Sequence, residues 1–232
     1  MSLSPSPAPD RAIRPSIGGR VLGGFGASIL GGAALGVAAW WTDQLGFPWS
    51  AYIPANTIGA WLGVAFALGA SARTIPTGAL RGLIGLLSAV AAYYLLVATL
   101  GHGIRVVGAG HAATIWGAVA LLAGPLLGLA GATWRRGQGW PRVVAVGLLA
   151  AALMAEGLVY GVGRREPLDR LVADPGALVL AAETALGLLL PAVLLRRGER
   201  LRGYFATAAL TVLAALAIGP VTTALRTLAD RF

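Results

Sequence analysis

The chain has no cysteine and no lysine, only two histidines, and nine acids among its 232 residues. Without cysteine there are no disulfides, thiolate metal sites, thiol nucleophiles or iron–sulfur clusters. His102 and His111 share one predicted loop region, too few ligands for a zinc site and badly placed to hold haem between facing helices. Charged residues make up 12% of the chain, about half the share usual in soluble domains.

Apolar sequence takes their place. The chain is 57% hydrophobic with a mean hydropathy of +0.76, and runs long enough to cross a bilayer recur from end to end. This is the composition of an all-α membrane protein. The formal charge of +9 would point to nucleic acid in a soluble protein. Here the arginines cluster in short loops between apolar runs, where they orient the chain in the bilayer, and no nucleic-acid partner is expected.

Spans need about 20 apolar residues. That rule predicts seven, near 19–41, 52–72, 78–100, 112–134, 141–162, 176–195 and 203–225, in one helical domain over 17–232. Residues 1–16 are rich in Ser and Pro and are expected to form a mobile tail. The first apolar run is too long for a signal-peptide core and is expected to remain as an uncleaved span. Arg11, Arg14 and Arg20, Arg73 and Arg81, Arg135, Arg136 and Arg142, and the group from Arg196 to Arg202 then share one side, against six arginines on the other. The expected N-terminus is cytoplasmic, in a bacterial inner membrane.

Small residues four apart let helix backbones approach closely. Gly24, Ser28, Gly32 and Gly36 form such a ridge, and Gly59/Gly63, Gly78/Gly82, Gly124/Gly128 and Gly157/Gly161 repeat it; internal packing is the expected use. Arg81, about three residues inside the third span, is expected to snorkel to the near surface. Pro125, Pro191 and Pro220 lie within or near the ends of spans, where they can kink helices.

Two acids lie well inside apolar segments, Glu156 and Glu183. A charge there is costly by at least about 2.5 kcal/mol on insertion scales, so a functional reading is the starting point. The predicted topology puts both about 10 Å below the outer boundary. Tyr93, Tyr94, Tyr160, Asn56 and Thr57 fall near the same level, with His111 and Trp116 at the rim. In the functional reading the carboxyls bind a proton or a cationic solute, with tyrosines supplying hydrogen bonds and ring faces. In the structural reading each glutamate only bonds a neighbouring helix.

Enzyme signatures are missing: there is no HExxH, no Gly-x-Ser-x-Gly, no P-loop and no paired-acid metal motif. No enzymatic activity, cofactor or metal is expected.

Asn56 and Trp61 with the small residues to Gly69 and Arg73, Tyr93–Tyr94, Gly124–Pro125 with Gly128, Trp134–Arg135–Arg136, Ala155–Glu156–Gly157, and Glu183 with Gly187 resemble a family of multi-pass membrane proteins from actinobacteria. That family is catalogued as a domain of unknown function. The resemblance covers most of residues 50–200 and implies a membrane-embedded bundle without assigning an activity.

The expectation drawn from the sequence is a bundle of seven transmembrane helices that binds or transports a small solute, cationic or proton-coupled, through Glu156, Glu183, Tyr93, Tyr94, Tyr160 and Asn56. The alternative is a non-catalytic membrane subunit or scaffold packed against a partner membrane protein or a second copy.

Overall fold

The computed structural model describes residues 17–45, 55, 57–100, 108–163 and 175–229. The expected tail, Asn56 and His102 lie outside these residues, and the side chain of Tyr160 is likewise outside the description. Seven α-helices follow in order among the described residues: α1 (Ile17–Gln44), α2 (Ile58–Ala70), α3 (Ile75–Leu100), α4 (Ala109–Arg136), α5 (Trp140–Gly163), α6 (Pro175–Leu194) and α7 (Arg200–Ala229). A 3₁₀ turn, Arg197–Glu199, joins the last two.

Local chemistry sets the helix ends. The Thr74 hydroxyl accepts the N–H of Thr77 at 3.3 Å and shares a 2.7 Å contact with the Thr77 hydroxyl. Pro76 lies between them, so α3 starts with a capping hydroxyl and a pre-set φ. Gly139 lies between α4 and α5 at φ 61°, a left-handed conformation that glycine adopts without penalty. Pro141 follows at the start of α5. Both α4 and α6 run unbroken through Pro125 and Pro191.

Five helices, α1, α3, α4, α5 and α6, are long and apolar enough among the described residues to cross a membrane. Leu178, Leu189 and Val193 on α6, and Leu201, Phe205 and Leu216 on α7, are exposed. A bundle with apolar side chains outside as well as inside is built for lipid, where helices satisfy their own backbone groups.

Of the seven expected spans, the second is the one that falls short among the described residues. The apolar run over 52–72 yields a helix of 13 residues, about 20 Å long against a hydrocarbon core of about 30 Å. The helix starts only at Ile58, because Thr57 at its N-cap is extended (φ −82°, ψ 146°). Hydropathy reads apolar length without regard to conformation and so credits this stretch with a complete crossing.

Glycine faces bring the helices together. Gly32 of α1 lies against the Gly85 backbone of α3, Gly36 against Ala89 and Tyr93, and Ser28 is fully buried between them. On the other side of α3, Gly78 and Gly82 meet Gly124 and Gly128 of α4, and Gly128 also receives Gly69 of α2. The core fills from these crossings outward: Ala65, Phe66, Leu86, Val90, Leu127 and Leu149 form one buried cluster across α2 to α5.

The connections α2–α3, α4–α5 and α6–α7 gather at one end. There, side chains satisfy the carbonyls that helix C-termini leave open. Arg136 donates to the Ala72 carbonyl, Trp134 and Arg142 both donate to that of Leu194 at 3.0 and 3.1 Å, and Arg142 sits 3.9 Å from Glu199. Arg81 does not snorkel to the surface. Its side chain is buried beneath the α2–α3 loop, donates to the Ser71 carbonyl and hydroxyl at 3.1 Å, and lies 6.0 Å from the Phe25 ring.

Candidate functional site

The end of α2 opposite the arginine-rich loops is where the polar side chains meet. A helix N-terminus leaves N–H groups without intrahelical partners and carries partial positive charge. Thr57 holds the N-cap position, yet its side chain makes no cap bond to α2. Its hydroxyl donates to Oε1 of Glu183 on α6. The open N–H groups are taken instead by Glu156 of α5: Ile58 donates to Oε1 at 3.3 Å and Gly59 to Oε2 at 3.1 Å. One carboxyl thus caps the short helix, and a second, from another long helix, holds the side chain of its N-cap residue.

Glu156 and Glu183 lie within interaction range of each other. Gly59 makes the approach feasible: a Cβ there would stand 2.8 Å from Glu183 Oε1 and closer still to Leu153. Oε2 of Glu183 is buried and has no hydrogen-bond partner among the described residues. Helix α5 starts at Trp140, at the arginine-rich end, and the helical rise from there puts Glu156 about 24 Å away. That places the pair in the far half of the bundle.

The tyrosines stand apart from the glutamates. Tyr93 and Tyr94 of α3 line a cavity of about 250 Å³ between α1, α2, α3 and α4, together with Trp61, Trp116, Ile58 and Asp43. Neither glutamate lines it. Tyr93 donates its hydroxyl to Asp43 Oδ2, and Tyr94 lies within electrostatic range of the same carboxyl. The two tyrosine rings meet edge to face with centroids 4.9 Å apart. Trp61, one turn into α2, donates its indole N–H to the Ala55 carbonyl at 2.8 Å and so ties the preceding backbone to the helix.

The structure therefore divides the expected cluster in two, with the first turn of α2 between the parts: Ile58 is a lining residue of the cavity and donates its N–H to Glu156. Trp116 is a wall residue of the cavity, whereas His111 is exposed at the start of α4 and does not line it. Asp43 is the residue that sequence reasoning missed, since it falls just past the predicted end of the first span. The signal was available in part, because no helix breaker separates Trp40 from Gln44, so the helix carries Asp43 beyond the predicted end of the span.

Among the described residues no three acids or histidines gather as a metal site. The chemistry on offer is that of a carboxyl pair able to accept hydrogen bonds or protons, and of an acid among aromatic rings. The fold and these two features define a polytopic helical membrane protein with buried acidic groups. The chain belongs to a family of unknown function, DUF6518, whose profile matches residues 18–227. Comparison with curated proteins and with solved structures finds no significant match.

Proposed function

We propose that the protein binds a small solute in the cavity beside α2 and carries it across the bilayer through movement of that short helix. The observation that carries the reading is the placement of the α2 N-terminus, flanked by the cavity on one side and by Glu156 and Glu183 on the other. Interrupted helices at membrane depth are tolerated where protein or a cavity covers the exposed backbone, and transporters build binding sites from them. The volume is adequate for a small organic molecule, since an apolar cavity of about 150 Å³ already holds benzene.

The carboxyl pair supplies a route for coupling to protons. A negative charge at a helix N-terminus is worth about 0.3–1 kcal/mol, and up to about 2 kcal/mol when partly buried. A proton arriving on the pair weakens the hold on α2, and with it the cavity wall formed by Ile58 and Trp61.

Thermal unfolding of the purified protein against a panel of small amines, polyols and aromatic solutes tests the reading. A solute that binds only the folded state raises the midpoint. At least one class is expected to do so in the wild type and not in Ala120→Phe, which fills the cavity. A panel that moves neither protein would contradict the proposal.

A further inference from the structure

We infer that Arg81 anchors a binding site for a phosphate oxyanion at the arginine-rich end of the bundle, and that the headgroup of an anionic phospholipid supplies it. The site lies at the opposite end of α1 and α3 from the cavity and stands whether or not the cavity takes a solute.

Arg81 carries its charge at 8% exposure. A buried cation is costly unless an anion is paired with it. The acids among the described residues are all engaged elsewhere: Asp43 with Tyr93, Glu156 and Glu183 with the start of α2, and Glu199 with Arg142. What touches the guanidinium is neutral. Nη1 donates to the Ser71 carbonyl and hydroxyl, both at 3.1 Å, and the Phe25 ring lies 6.0 Å away.

The remaining edge of the group has the shape that recognises phosphate. A guanidinium holds an oxyanion through two parallel N–H bonds, and Nε with the adjacent Nη2 forms one such fork. Nε is buried and has no hydrogen-bond partner among the described residues. Nη2 lies against Gly24 of α1, where a Cβ would overlap it, so glycine keeps the space beside this edge open.

Position selects lipid as the source. Arg81 stands about 9 Å into α3 from Ile75, and its side chain turns back toward the helix start to reach Ser71 in the α2–α3 connection. Ser71 is exposed and Phe25 half-buried, so the guanidinium lies one side chain deep at the level where loops meet headgroups. The arginine bias assigns this face to the cytoplasm, and basic pockets between helices on that side bind anionic headgroups. Arg73, exposed in the same connection, adds to the potential that draws such lipids in.

The test uses the full chain in an uncharged maltoside detergent, with native mass spectrometry counting bound lipid. Phosphatidylglycerol is compared with a diacylglycerol of the same chains, which lacks the phosphate. The wild type is expected to retain one phosphatidylglycerol with a preference of about tenfold or more. Arg81→Lys keeps the charge without the fork and is expected to reduce that preference to about twofold. Gly24→Ala takes the space beside the edge; what it displaces is the flexible end of a side chain, so the fold is expected to hold while the preference falls likewise. Arg73→Gln, outside the proposed contact, is expected to change it by less than about twofold.

Thermal unfolding in inorganic phosphate, against chloride of equal ionic strength, covers the other source of the same chemistry. A midpoint raised in the wild type and not in Arg81→Lys, without a lipid preference, would keep the oxyanion site and reassign it to soluble phosphate. No preference for phosphatidylglycerol and no response to phosphate would overturn the inference. So would a preference that survives Arg81→Lys and Gly24→Ala but falls with Arg73→Gln, which is the behaviour of a surface charge.

Discussion

Glu156 on α5 accepts the backbone N–H of Gly59 on α2 at 3.1 Å, so a side chain of one long helix completes the end of another, shorter one. Glutamate is well suited to this position. Its two oxygens serve two adjacent N–H groups, its charge complements the helix end, and the stem spans the gap between packed helices. The same bond links the acid pair mechanically to a wall of the cavity.

Removing that cap leaves the Ile58 and Gly59 N–H groups without acceptors. Glu156→Ala is expected to destabilise the protein by about 1–3 kcal/mol, chiefly the cost of leaving the buried Gly59 donor unsatisfied. Glu156→Gln keeps one carbonyl oxygen and is expected to lose roughly half as much. Thermal or denaturant unfolding in detergent measures both, and an alanine variant as stable as the wild type would mean that the bonds carry no weight.

The glycines separate into two kinds that sequence does not distinguish. A Cβ on Gly128 would meet the backbone of α3, with Gly82 Cα at 2.9 Å and N at 3.0 Å, whereas a Cβ on Gly63 would meet nothing within 4 Å. Gly128→Ala is expected to cost about 1–3 kcal/mol through overpacking. Gly63→Ala is expected to be neutral, or more stable by up to about 1 kcal/mol through helix propensity. Unfolding curves for the pair give the comparison, and equal effects would count against the packed crossing.

Orientation is testable because the chain contains no cysteine. The twelve arginines assigned to one face predict that this face is cytoplasmic. In intact cells a membrane-impermeant thiol reagent is expected to label His111→Cys and to leave Ser71→Cys unlabelled until the cells are opened. Both positions are exposed. The reverse pattern would invert the topology.

Much of the architecture was legible in the sequence. The small-residue ridge Gly24–Ser28–Gly32–Gly36 packs inside the bundle, against α3, because four-residue spacing defines one helix face wherever that face points. A common level for Glu156 and Glu183 along the bundle was also readable from the rise per residue, and both side chains do reach the first turn of α2. The shortness of α2 was not, because it depends on the backbone of Thr57. Nor was the separation of Tyr93 and Tyr94 from the glutamates, which requires knowing that α3 faces α1 here and that α2 stands between. Depth orders residues along the membrane normal and says nothing of their position in its plane. The loop arginines were read only for orientation, although Arg136 and Arg142 also close helix ends, a role that depends on which carbonyls tertiary packing brings near.

A solute-accessible cavity beside α2 is the central claim, and single-cysteine labelling tests it most directly. Val119→Cys replaces a residue on the cavity wall, and Ala130→Cys replaces one packed in the core at 2% exposure. In nanodiscs, a small thiol reagent is expected to modify the first at least tenfold faster than the second, and Ala120→Phe in the same chain is expected to abolish the difference. Equal, slow labelling of both cysteines would contradict the claim and reduce the cavity to a packing defect.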